Sequence, residues 1–243
     1  MSQHDSMKVS KNVWKSSQGL AENARGASGG LCTLWNASKI DLIRSDLCMH
    51  WIFSQLLHRE SGQMVSLFNI YVPQHIDEKK NCWKTLLNYL VDNELENIIL
   101  GGDLNVTLAQ EERRGGSIVR DQAREWVEEL ISAWDLMDIK PTKGHYTWTN
   151  RRVGPGHIAA RLDRFLVQSS FLSLGLTATS EILPHSTSDH KPINLELRKD
   201  QGQGPIPSNS IPHGYRIKTF CTKSPASGQE RSMASCFTFG KKN

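Results

Sequence analysis

The run Asn97-Ile98-Ile99-Leu100, closed by Gly101-Gly102, constrains the fold of this chain more than any other stretch. A short apolar run bounded by glycines has the character of a strand covered on both faces, and such a strand lies at the centre of a sheet with other layers against it. Its end delivers Asp103 and Asn105 into a cleft, because residues two apart on an extended chain point the same way and the glycine pair admits a second backbone at close range. The rest of the chain supplies partners for that strand. Gly29 to Trp35 reads as a glycine turn entering a strand, and Trp51-Ile52-Phe53 and Val65 to Tyr71 read as two more, the last stopped by Pro73. Between Asp77 and Asp92, Trp83, Leu86, Leu87 and Leu90 fall at spacings of three and four, which predicts an amphipathic helix with Asp77 helping to cap its start. Ala123, Trp126, Val127, Leu130, Ile131 and Trp134 predict a second helix between Arg120 and Asp138, and His145 to Thr149, Arg161 to Val167 and Pro192 to Leu197 read as three further strands. Strands in groups, with helices not strictly alternating, predict an α/β protein with a mixed sheet and helices packed outside.

The chain has 243 residues, 38% of them hydrophobic, which suits one domain with its own core. Residues 25–199 are expected to form it. Residues 1–24 and 200–243 are polar and rich in Ser, Lys and Gly, and are expected to be disordered. The five cysteines lack the spacing of a structural zinc site and read as reduced thiols. No apolar run reaches the length of a signal peptide or the roughly 20 residues of a membrane span, so the expectation is a soluble intracellular protein with no membrane and no obligate protein partner. A net charge of +4 is mildly compatible with a polyanion.

Two segments carry chemistry. Asp103 and Asn105 form one; Ser188-Asp189-His190, followed by Lys191-Pro192 and a strand, forms the other. A carboxylate is a hard oxygen ligand for Mg²⁺, and a neighbouring imidazole can bond a phosphoryl oxygen or move a proton, a pairing suited to phosphodiester hydrolysis. Each has a plainer reading on its own. Gly-Gly-Asp-Leu-Asn is commonly a turn with Asx hydrogen bonds, Asp189-His190 a solvated pair, and Tyr71 a core or rim tyrosine. Asp163, flanked by Arg161 and Arg164, reads by default as part of a surface ion pair.

Taken in order, SGGLCTLWN, FNIYVPQH, GGDLNVTLAQEERRGG, HYTWTNRR, ARLDRFLV and SDHKPINLEL resemble the endonuclease/exonuclease/phosphatase family, and within it the branch carried by plant LINE-type retrotransposons. The resemblance runs from about Arg25 to Arg198. It implies a deoxyribonuclease-like, four-layered α/β/β/α sandwich, a site at one sheet edge, DNA as partner, and Mg²⁺ or Mn²⁺ as cofactor. It also implies roles. Tyr71 contacts the phosphate, Asp103 acts as base or orienter beside the attacking water, and Asn105 holds the scissile phosphate. Asp163 orients His190, Asp189 is a metal ligand, and His190 contacts the phosphate and stabilises charge on it. Thr147 lines the cleft near the substrate, and Ser188 supports the 188–190 loop on the substrate side.

The match has a gap. Family members begin with a strand bearing an Asn, a helix, and a strand ending in a metal-ligand Glu, and no segment here corresponds to them. The acids upstream of Gly29 are Asp5 and Glu22, and Glu22 stands too close to Gly29 in too polar a context. The resemblance therefore implies a domain missing its first strands, with one sheet opened, unpaired backbone groups and a cation held weakly if at all. Three functional readings stay open: an impaired phosphodiesterase acting on DNA; a catalytically dead remnant or weak nucleic-acid-binding module gripping phosphates through Arg113, Arg114, Arg151, Arg152 and Arg161; and, ranked lower, a phosphatase on inositol lipids or a sphingomyelinase-like esterase.

Overall fold

A computed structural model of the chain describes residues 17–22, 30–116, 121–184, 188–199, 214–223 and 233–240. In chain order the elements are β1 (Ser17–Glu22), β2 (Leu31–Asn36), β3 (Ile40–Cys48), β4 (Trp51–His58), β5 (Met64–Tyr71), α1 (Ile76–Asn93), β6 (Ile98–Asp103), β7 (Arg113–Arg114), α2 (Ala123–Ala133), β8 (Leu136–Asp138), β9 (Trp148–Thr149), β10 (Ala159–Ala160), β11 (Asp163–Gln168), α3 (Ser170–Ser173), β12 (Leu176–Ile182), β13 (Ile193–Lys199), β14 (Gly214–Lys223) and β15 (Met233–Gly240). They form two six-stranded sheets, ordered β3-β4-β5-β6-β11-β8 and β1-β2-β15-β14-β13-β12, and a small sheet β7-β10-β9.

β6 is central, and every one of its residues is buried. It pairs in parallel with β5 and antiparallel with β11. Its side chains alternate between two cores, as the two-residue period of a strand requires. Ile98 and Leu100 join Phe68, Leu166, the Trp83–Leu86–Leu90 stripe of α1 and Val127 and Leu130 of α2. Ile99 joins Leu67, Phe165 and Val167 against Leu195, Leu197 and Ile217 of the other sheet. The two sheets therefore pack face to face, with both long helices outside the first. Among the described residues no helix of more than four residues lies elsewhere, so the helical layer expected outside the second sheet is not seen there. The first helix starts at Ile76, its N-cap residue His75 makes no side-chain cap bond, and Asp77 falls inside the first turn rather than at the cap.

Two sequence expectations meet differences at the ends of the chain. Ser17–Glu22, within the segment expected to be disordered, pairs with β2; residues 1–16 and 23–24 lie outside the described residues. Beyond residue 199, β14 pairs with β13, and β15 lies between β14 and β2. The second sheet is thus continuous where the resemblance implies an opening. Average composition hides such strands, because Tyr215, Ile217 and Thr219 alternate with Arg216 and Lys218 within a polar stretch. Residues 200–213, 224–232 and 241–243 lie outside the described residues.

Candidate active site

β5 and β6 end, and β11 begins, at the same edge of the first sheet. Register sets Tyr71 opposite Asp103 and Asp103 opposite Asp163. Gly102 makes this possible: at φ 136° it lies so close to the Ile70 carbonyl that a β-carbon there would collide with it. Asn105 follows in the left-handed region, at φ 48°. Its N–H donates to Asp103 Oδ1 at 2.9 Å, and its side-chain amide donates to the Val72 carbonyl at 2.6 Å and to Asp103 Oδ2 at 3.2 Å.

The 188–190 segment reaches the same edge through the small sheet. Trp148 bridges to His190, the Thr149 N–H donates to the Asp189 carbonyl at 3.1 Å, and the Lys191 N–H donates to the Thr147 carbonyl at 2.6 Å. His190 Nδ1 then stands 2.9 Å from Asp163 Oδ2, and Nε2 stands 3.8 Å from Asp103 Oδ2. Asp103, Asp163 and His190 thus converge, with potential ligand atoms all within 4.8 Å of one another. Asp189 is buried but lies outside that convergent set. Tyr71 and Ser188 are half-buried, and the Ser188 hydroxyl accepts from the His190 N–H at 3.2 Å.

Thr147 differs from its expected place on the cleft wall. It is fully buried, and its hydroxyl accepts from the Leu162 and Asp163 N–H groups at 2.9 and 3.0 Å. It shapes the start of β11 and hence the Asp163 carboxylate, with no surface left for a substrate. Arg161 and Arg164 also differ from a surface pair. They are 3% and 1% exposed, and both bond Glu112 and Asp138. Arg161 is therefore unavailable to a phosphate, whereas Arg113, Arg114, Arg151 and Arg152 are exposed on or beside the small sheet.

Burial and proximity set the charge state. Burial raises the Asp103 carboxyl to about 7, against the opposing pull of His190. Burial alone lowers His190, but the Asp163 and Asp103 carboxylates outweigh it and raise the imidazole to about 9. Near neutral pH the histidine is an imidazolium, with the Asp163 carboxylate on Nδ1 and the Asp103 carboxylate facing Nε2. The donor set, two carboxylates and an imidazole at a buried edge, suits a small divalent cation held through carboxylate oxygen.

A groove of about 520 Å³ opens beside these groups, lined in part by Lys79, Asn105, Thr107, Arg113, Asp121 and Trp148. Of the residues singled out from the sequence, Asn105 and Arg113 line it; Asp103 and His190 do not, and each is 2% exposed. Lys79 was not foreseen as a site residue, yet the sequence held a signal. It stands on the apolar stripe of α1, four residues before Trp83, where a charge is out of place without a buried partner.

The fold has close parallels among solved structures. The endonuclease domain of TRAS1, a telomere-specific non-LTR retrotransposon, matches with a TM-score of 0.54 at 14% identity, over 79% of this chain and 83% of that one. An endonuclease/exonuclease/phosphatase family protein from Bacteroides thetaiotaomicron matches at 0.53 and 13% identity, over 80% and 79%. D. rerio TDP2, complexed with single-strand DNA product, matches at 0.53 and 18% identity, over 77% and 79%. No family model and no curated protein matches by sequence. The chain therefore has the mixed α/β fold of endonuclease/exonuclease/phosphatase structures, and identities this low carry the fold alone.

Proposed function

We propose that this chain is a divalent-metal-dependent phosphodiesterase of endonuclease type, acting on DNA, and that it is akin to the plant LINE-type branch. The observation that carries the reading is the buried Asp163–His190–Asp103 cluster, with Asn105 presenting its edge to a groove. Such an arrangement offers a carboxylate to orient or deprotonate water, an amide to hold a phosphoryl oxygen, and an imidazolium to stabilise negative charge. Asp163, itself held by the Thr147 hydroxyl, fixes the direction of the His190 ring. Tyr71 and Ser188 border the cluster and are assigned to the phosphate and to loop support. Mg²⁺ or Mn²⁺ is assigned to Asp189, and the convergence of Asp103 with Asp163 and His190 makes Asp103 a second candidate ligand; when bound, the cation would supply Lewis-acid polarisation of the phosphate. The likeness to the TRAS1 endonuclease domain and to TDP2 with its DNA product supports DNA over other phosphodiesters.

Impaired turnover belongs to the reading. Among the described residues two carboxylates converge, one oxygen of Asp163 is committed to His190, and the reacting groups are almost enclosed. A second reading, a nucleic-acid-binding module without catalysis, draws on Arg113, which lines the groove, and on the exposed Arg114, Arg151 and Arg152. Conversion of supercoiled plasmid to nicked circle separates the two. The expected result is slow nicking that requires Mg²⁺ or Mn²⁺, stops in chelator, and is lost in Asp103→Asn and His190→Ala. Salt-sensitive DNA binding with no nicking under any divalent ion favours the second reading and rejects the first.

A further inference from the structure

Lys79 keeps 5% exposure on the inner stripe of α1. Its ammonium donates to the Asn105 carbonyl oxygen at 2.8 Å and to Asp121 Oδ2 at 3.1 Å. Burying an ammonium costs free energy unless it is paired and hydrogen-bonded, and an unbranched apolar side chain would fill the same space without that cost. The position is explained by what the ammonium holds. Asn105 occupies the left-handed region, which the β-carbon of any residue but glycine disfavours. In that conformation its carbonyl faces α1, its N–H faces Asp103, and its side-chain amide reaches both Asp103 and Val72. The contacts on the N–H and the side chain come from the sheet; the contact on the carbonyl comes from Lys79.

We propose that Lys79, gripped by Asp121, is a positioning residue: it fixes the left-handed turn at Asn105 and so aims the Asn105 amide and the Asp103 carboxylate at the groove. The proposal rests on the phosphodiesterase reading of that site. Lys79 also lines the groove, so direct contact with a phosphate is the competing role. Its near-complete burial and its two bonds argue for the tether.

The test compares wild type with Lys79→Met, Lys79→Arg and, as a control on the exposed neighbour, Lys80→Met, in the divalent-dependent nicking assay. Hydrogen exchange at Leu104 and Asn105 is followed in parallel. Lys79→Met is expected to lower kcat by about tenfold to a hundredfold, the loss usual when a group that orients a reacting residue is removed, with KM little changed. Exchange at Leu104 and Asn105 is expected to quicken while the core strands stay protected. Lys79→Arg recovers part of both, and Lys80→Met behaves as wild type. A raised KM at unchanged kcat overturns the proposal in favour of direct phosphate contact, and wild-type kinetics in Lys79→Met overturns it outright. If wild type itself fails to nick, the phosphodiesterase reading falls, and exchange alone judges the tether: unaltered protection at Leu104 and Asn105 in Lys79→Met rejects it. If Lys79→Met does not fold, exchange in Asp121→Asn takes its place, with the same expectation and the same rejection.

Discussion

Asp103 and His190 stand 3.8 Å apart at near-complete burial, and the proton affinity of each depends on the other. Both groups take up protons more readily in the folded chain than in the unfolded one, so their linkage to stability has the same sign. For His190, raised from 6.5 to about 9, the contribution is full below about 6.5 and is lost as pH rises through about 9. For Asp103, raised from 3.8 to about 7 by burial of its anion, it is full below about 3.8 and is lost as pH rises through about 7. The chelated protein is therefore expected to lose Tm steadily from about pH 5 to about pH 9, each unit of pKa difference being worth about 1.4 kcal/mol. A divalent cation bound as proposed would stabilise the Asp103 anion, so Mn²⁺ is expected to raise Tm more at about pH 8 than at about pH 5.5, where protons compete for the carboxylate. Thermal melts across pH, with and without Mn²⁺, check both statements. A melting profile that is flat or rising in chelator, or a Mn²⁺ effect larger in acid, contradicts the charge assignment made for this pair.

At the level of elements, the loop from β6 to β7 is anchored by a buried group of charges. Glu112 accepts from Arg164 Nη2 at 2.9 Å, from Arg161 Nη1 at 2.8 Å and from the Leu108 N–H at 2.7 Å. Arg164 also donates to the Val106 carbonyl at 2.9 Å, and Asp138 neutralises the second guanidinium. Burial opposes ionisation of Glu112, but the Arg164 bond and charge outweigh it and hold the carboxyl down at about 2. Glu112→Gln leaves two arginines sharing one carboxylate in the interior. The expected cost is about 3 kcal/mol, a fall in Tm of roughly 6–12 °C, and calorimetry at neutral pH measures it. An unchanged Tm would mean that the arginines find other partners. None of this group was legible in the chain, because Glu112 and Asp138 are far in sequence from the arginines, and a sequence with Arg on both sides of Asp163 looks like solvated surface. Asp103, Asn105 and His190 were legible because short motifs carry them at the ends of apolar runs. β5, β6 and β11 were legible because their apolar residues are contiguous. β3 was not: it is an edge strand whose bulge between Leu42 and Arg44 breaks the two-residue period, and Asp41, Arg44 and Asp46 dilute its apolar content. β12 was missed because Thr177, Thr179, Ser180 and Glu181 give LTATSEI the composition of a loop, and its pairing with β13 is what makes it a strand.

Across the whole molecule, the second sheet joins the two ends of the described chain. β15 runs parallel to β2 and antiparallel to β14, and β14 completes the ladder to β13. Ile217, fully buried, enters the core shared with the first sheet beside Leu195 and Leu197. Strands from the far end of the described chain, β14 and β15, therefore close the space between β2 and β13. A chain ended at Lys199 loses β14 and β15 and exposes the ladders of β2 and β13 as two new edges, the situation in which sheets pair with other chains. It also strands β1 and β2 on the body of the protein through face-to-face packing alone. The expected outcome is a protein that melts at lower temperature and elutes from gel filtration as aggregates, and that recovers a monomeric state when a peptide of residues 200–243 is added in trans to re-form the ladder. A truncated chain that stays monomeric with the Tm of the full protein would show that β14 and β15 contribute nothing to the sheet. The cleft edge, held by β5, β6 and β11 in the other sheet, is then expected to show the same divalent-dependent nicking as the full chain, whatever its level, since Asp103, Asn105, Asp163 and His190 all lie before residue 199.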